Sequence, residues 1–185
     1  MPFNLEAFEQ NAWRMLVRGS VDKKHAFNLV QIGTIGAGGT PQIRTVVLRK
    51  VDIDSRTIAF HTDIRSQKIV GMDKPIAIHT YDTRHLLQVR MQGIPILHHM
   101  DDKATQLYYQ LHDGAAELYL SSVKPGKIIS APDAPIGRLD RSEGLANFCW
   151  VDVQITDMEV LQLGETHQRA HFTYGSGASK TWIKA

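Results

Sequence analysis

Three stretches of the chain gather side chains able to hold an anion or a polar ring: Arg44 to Arg49, His61 to Lys68, and Gln88 to Gly93. Strand alternation in Arg44-Thr45-Val46-Val47-Leu48-Arg49 turns Arg44, Val46 and Leu48 to one face and Thr45, Val47 and Arg49 to the other, so a cation stands at each end of an apolar strand. Edge strands also carry arginines as protection against aggregation, and this pattern alone does not separate the two uses. In His61-Thr62-Asp63-Ile64-Arg65-Ser66-Gln67-Lys68 a strand end runs into a short helical start. Free backbone N–H groups, a hydroxyl and an ammonium are what a phosphate dianion needs, and a solvated polar turn has the same composition. In Gln88-Val89-Arg90-Met91-Gln92-Gly93 the residues Gln88, Arg90 and Gln92 share one face. Such a face meets solvent, a partner subunit or a ligand rich in hydrogen-bonding groups. Glutamine both donates and accepts, which suits a ring edge with alternating carbonyl and N–H groups.

These stretches need a framework, and the spacing of apolar residues supplies one. Phe3, Leu5, Phe8, Ala12, Met15 and Leu16 recur at helical intervals, with Asn4 as N-cap and Gly19 as a stop, which predicts an amphipathic helix over Asn4 to Arg18 packed on a sheet. From His25 the texture changes to short runs of Val, Ile and Thr between turn residues, the mark of an antiparallel sheet closing on itself. The clearest hairpin joins Phe27–Ile35 to Pro41–Lys50 through Gly36-Ala37-Gly38-Gly39, where glycines supply positive φ angles. Further strands are expected at Arg56–Thr62, Ile76–Tyr81, His85–Leu97, Asn147–Leu163, Gln168–Tyr174 and Lys180–Ile183. A second helix is expected from Asp101 or Asp102 to Leu111, and an irregular segment over Ser121 to Arg141, which holds Pro125, Pro132 and Pro135.

Composition bounds the partners. With 21 basic and 19 acidic residues and no block of like charge, nucleic acid is not expected. No apolar run approaches the ~20 residues that span a membrane, and Glu6 and Glu9 break any signal-peptide core, so a cytoplasmic single domain over residues 1–185 is the expectation. Cys149 is the lone cysteine, set between Phe148 and Trp150 and read as a buried, inert thiol. Nine histidines include His98-His99, but neighbours on a strand face opposite ways and no Cys or carboxylate cluster accompanies them, so no metal site is expected.

The run Pro41 to Arg49, then Phe60-His61-Thr62-Asp63-Ile64-Arg65-Ser66-Gln67-Lys68, then Pro75 opening a strand and Gln88 to Gly93, resembles the cofactor half of the pyridoxamine 5'-phosphate oxidase family. The likeness covers about Ala26 to Gly93 and continues less closely after Asn147. It implies a mainly β fold, a six-stranded antiparallel split barrel with flanking helices, and a homodimer holding flavin mononucleotide (FMN) at the subunit interface. By that resemblance Arg44, Lys68 and Ser66 hold the FMN phosphate, Thr62 adds a hydrogen bond, and His61 and Gln67 belong to the same stretch. Val46 to Arg49 run along the isoalloxazine, Thr45 belongs to the same cofactor-binding stretch, and Gln88 reaches the flavin from the partner. Arg49 stands where the family has lysine, and Gln67 where it has arginine, a lost cation for which Arg65 is the candidate replacement.

The substrate half departs further from the family. Tyr108 or Tyr109 stands for a substrate-gripping tyrosine, but His112 and Ala116 fall where an arginine and a serine belong. In place of the family's late arginine-histidine strand stands His167-Gln168-Arg169-Ala170-His171, which lines His167, Arg169 and His171 on one face. Arg49, Tyr108, His167, Arg169 and His171 are the candidate contacts to a small anionic substrate. The expected activity is an FMN-dependent oxidoreductase distinct from the true oxidase. The alternative is a binding module for flavin, haem or deazaflavin without turnover.

Overall fold

A computed structural model describes residues 4–185, so Phe3 of the helical stripe lies outside the described residues. Helix α1 runs over Leu5–Val21, capped by the Asn4 side chain, which accepts the Ala7 N–H, with Glu6 in its first turn and Arg18 in its last, each suited to the helix dipole. Phe8, Ala12, Trp13 and Leu16 form its buried stripe. Gly19 does not stop it. A Cβ there would stand 2.6 Å from the carbonyl of Phe27, so the glycine lets the helix lie against that segment, and the chain leaves the helix at Asp22.

Nine strands follow in one hydrogen-bonded sheet: β1 (Leu29–Ile35), β2 (Pro41–Val47), β3 (Lys50–Asp52), β4 (Thr57–Asp63), β5 (Ile76–Asp82), β6 (Leu87–His98), β7 (Phe148–Gln162), β8 (Gln168–Thr173) and β9 (Ser179–Trp182). The β1–β2 hairpin turns through Gly38 and Gly39, at φ of 78° and 80°. Strand order is β2-β1-β5-β6-β7-β4-β3. The path begins on β2 and ends on β3, which the chain joins through Leu48 and Arg49, and this bent run closes the sheet. Counting β2 and β3 as one bent strand recovers the expected six barrel strands, and β8 and β9 are additions beyond them.

The long strand β7 makes the barrel a split one. Along one edge it pairs with β6, while its other edge is shared between β4, opposite Phe148–Gln154, and β8, opposite residues 157–162. Register slips by one residue between Gln92↔Asp157 and Gly93↔Ile155, a bulge where the two halves diverge. Gly93 serves that crossing, since a Cβ would meet Val153 Cγ1 at 2.6 Å.

Alternation sorts the side chains into two cores. Val30, Ile32, Val46, Leu48, Ile58, Phe60, Ile78, Val89, Met91 and Val151 fill the barrel, with Trp13 and Leu16 of α1 packed against them. Outside it, Ala59, Phe148 and Trp150 meet Tyr119 and the helix α2 (Asp102–Tyr109) through Ala104 and Tyr108. Two one-turn helices, α3 (Asp113–Ala116) and α4 (Arg141–Gly144), flank the irregular segment, which is pinned at its base by a Ser121↔Arg138 bridge. Cys149 points into the barrel, and burial pushes its thiol up to about 12, which leaves it unreactive.

Candidate cofactor site

The anion-binding candidates meet at one end of the barrel. Arg44 shares its strand face with Val46 and Leu48, and its Nη1 donates to the Thr34 hydroxyl of β1 at 2.5 Å. Past the end of β4 the chain turns through a short 3₁₀ helix, Gln67–Gly71, which brings Lys68 back so that its Nζ donates to Thr62 Oγ1 at 2.7 Å. Both cations therefore meet neutral hydroxyls, and each has its pKa lowered. Burial is the cause for Arg44, and for Lys68 it is burial followed by the positive charge of Arg44 itself. Two desolvated cations near enough to repel form a site short of negative charge. The Ser66 side chain caps nothing, and Gln67 is exposed.

Arg65 does not join this pair. Its guanidinium grips Asp63, Nε to Oδ1 at 3.0 Å and Nη2 to Oδ2 at 2.7 Å, and Nη2 also donates to the Ser121 carbonyl. The charge missing at Gln67 is thus not replaced by a second cation aimed at the same place.

Along the bent strand Val46 and Leu48 are buried in the barrel, while on the other face Thr45 is exposed and Val47 half-buried. Arg49 Nε is buried without a hydrogen-bond partner, and burial lowers the guanidinium pKa, opposed by the nearby Tyr119. His61 lies close by, its Nδ1 2.5 Å from the Tyr119 hydroxyl and its ring against Phe148 and Trp150. Burial, Arg49 and His112 lower the His61 pKa to about 4, while burial raises that of Tyr119. Both groups are then neutral, so the hydroxyl donates to Nδ1 and the ring hydrogen sits on Nε2. Sequence reasoning missed Tyr119, and no local signal marks it, because it reaches His61 across 58 positions.

Gln88 lies three strands away from Arg44 in the order β2-β1-β5-β6 and faces outward, with Oε1 3.4 Å from His79 Nε2. It lines a hollow of about 300 Å³ with Tyr81, Leu86 and Leu163, all exposed. Within one chain, Gln88 and the cation pair are not brought together.

The substrate candidates are dispersed. Tyr108 is fully buried and donates its hydroxyl to the Arg141 carbonyl at 2.7 Å, so it presents no free group to a ligand. His112 caps α3, accepting the Ala115 N–H at Nδ1. His167 precedes β8 and accepts the Gly164 N–H. Arg169 pairs with Glu159 at 2.9 Å, and His171 Nε2 lies 2.6 Å from Asp157. Glu159 also holds Arg90 at 3.2 Å, and the outward cleft of about 370 Å³ that Arg90, Asp157, Glu159 and His171 line is charge-matched. Arg44, Thr62 and Lys68 do not line it. Among the described residues no His, Cys, Asp and Glu cluster fits a metal ion, and no helix is long and apolar enough to cross a membrane.

Comparison with known proteins bears on the fold that carries these residues. Residues 10–99 match the model of the pyridoxamine 5'-phosphate oxidase FMN-binding domain. A 60-residue stretch is 38% identical to pyridoxine/pyridoxamine 5'-phosphate oxidase 2 of Arabidopsis thaliana, covering 31% of this chain and only 30% of that protein. The fold superposes on a pyridoxamine 5'-phosphate oxidase-related, FMN-binding protein of Nostoc punctiforme with TM-score 0.77 and 24% identity, over 96% of this chain and 97% of that one. It also superposes on PhzG of Burkholderia lata, solved with tetrahydrophenazine-1-carboxylic acid, with TM-score 0.70 and 14% identity over 98% and 90% of the two chains. At these identities the solved structures establish the shared fold.

Proposed function

We propose, from the match of residues 10–99 to the pyridoxamine 5'-phosphate oxidase FMN-binding domain, that the chain belongs to that family, binds FMN with the cofactor phosphate between Arg44 and Lys68, and acts as a flavin-dependent oxidoreductase on a small anionic molecule. The observation that carries the reading is the pair of desolvated cations whose hydrogen-bond partners among the described residues are the Thr34 and Thr62 hydroxyls. A phosphate dianion supplies the missing charge, and the Thr62 and Ser66 hydroxyls are at hand to donate to it. The orphaned, buried Arg49 Nε fits a ring acceptor such as a flavin pyrimidine carbonyl. When bound, the flavin supplies hydride or electron transfer. The protein's part is to orient the ring and hold a fixed cation, Arg49, beside it. The outward-facing Gln88 and the exposed Tyr81, Leu86 and Leu163 beside it suit contact with a second copy, so the complete site is a homodimer's, each chain forming one FMN-binding domain. The purified protein is expected to be yellow and to release FMN, identified by mass. A colourless protein that stays colourless after FMN is added would refute the reading.

A second reading, a flavin-binding module without turnover, is favoured by the substrate candidates themselves, since Tyr108 is buried and Arg169 and His171 are already matched by carboxylates. Stopped-flow reduction of the bound flavin separates the two. Fast bleaching by NAD(P)H, pyridoxamine phosphate or pyridoxine phosphate supports an enzyme, and inert flavin supports the module.

A further inference from the structure

A carboxylate is the worst neighbour a phosphate site can have, and this site has one. Asp63 directly follows Thr62, is only 7% exposed, and lies near enough to Lys68 for its charge to act on the ammonium. Yet Lys68 donates to the Thr62 hydroxyl rather than to Asp63. The reason is local. Arg65 closes a two-point fork on the carboxylate, at 3.0 and 2.7 Å, and its own backbone N–H adds a third bond to Oδ1 at 2.8 Å. The fork is held from behind by the Ser121 carbonyl, 3.1 Å from Nη2, and the Ile64 N–H fixes the turn to the Asn147 carbonyl at 2.8 Å. Planar guanidinium suits this bidentate grip, which an ammonium does not reproduce.

We infer that Arg65 is a positioning residue for the phosphate site: by sequestering the Asp63 carboxylate it keeps Lys68 open to an incoming phosphate. The inference rests on the proposed FMN reading. Without Arg65, a nearly buried carboxylate loses its partner, which is costly, and Lys68 is the cation at hand to replace it. The site then fills itself, and phosphate must compete with Asp63. Gln67, where the family carries a cation, fits the same logic: this chain keeps its anion site by removing a competitor rather than by adding a charge.

The test is the affinity of wild type, Arg65→Ala, Asp63→Asn and the double variant for FMN and for riboflavin, which lacks the phosphate, read by flavin fluorescence quenching. Arg65→Ala is expected to weaken FMN about tenfold or more, roughly 1.4 kcal/mol, with riboflavin little changed. Adding Asp63→Asn should restore most of the FMN affinity, and Asp63→Asn alone should bind FMN at least as tightly as wild type. Should Arg65→Ala fail to fold, Arg65→Lys carries the test, with a smaller loss that Asp63→Asn also restores. Undiminished FMN affinity in the Arg65 variants, or a double variant as weak as the single one, overturns the inference and leaves the FMN reading standing. A wild type that binds FMN no better than riboflavin overturns both.

Discussion

Among the described residues Arg44 and Lys68 at the end of the barrel hydrogen-bond only to hydroxyls, whereas on the outward face Arg90 of β6 and Arg169 and His171 of β8 each meet a carboxylate of β7. Counted by type, both regions read as anion sites. Their difference is countercharge. On the outward face Glu159 serves two arginines and Asp157 one histidine, so an arriving anion would have to displace a partner already present. At the barrel end burial lowers the pKa of both cations, the charge of Arg44 lowers that of Lys68 further, and an arriving dianion relieves that cost. An anion site is marked by cations that lack partners, and their number alone says little.

The strongest way to break this comparison is to remove the unpaired cations. Arg44→Ala with Lys68→Ala should weaken FMN by on the order of 1.5 to 3 kcal/mol per residue, measured by fluorescence quenching, and affinity within a few-fold of wild type would place the phosphate elsewhere.

His61 shows another response to burial beside cations, which is to shed the proton. Its folded pKa, about 4, lies below its ordinary 6.5, so the unfolded chain binds the proton more readily. Stability is complete above about 6.5 and falls as pH drops toward 4, by an amount of order 3 kcal/mol at most. Denaturant titrations at successive pH values check this, and His61→Gln should flatten that part of the slope. Lys68 titrates at the opposite end. Its depressed pKa predicts that FMN affinity declines as pH rises, beginning below 10.5, while riboflavin affinity does not follow. The smallest effect belongs to the matched region, where Arg169→Ala or His171→Ala should change FMN affinity by less than about fivefold, because each of these half-buried cations already has its carboxylate and neither lines the Arg44–Lys68 site.

Much of the frame was legible because it is local. The Asn4 cap, the Gly36–Gly39 turn and the strand after Pro75 are decided by residues a few positions apart, and all form as read. Gly19 misled because its role is set by Phe27 packing on the helix, a contact the helical pattern does not encode. Strand alternation placed Arg44 with Val46 and Leu48, and the turn returned Lys68 to Thr62. What remained hidden depends on partners. Arg65 reads as a spare cation until Asp63 is seen in its fork, Tyr108 reads as a ligand tyrosine until Arg141 is seen to take its hydroxyl, and Tyr119 comes to His61 from far along the chain.

The central claim, that a phosphate completes the Arg44–Lys68 pair, is tested most directly by titrating flavin-free protein with FMN and riboflavin side by side. The account predicts that FMN binds on the order of a hundredfold tighter, the sum of two charge-assisted contacts at the low end of their range. Equal affinity for the two flavins would contradict it.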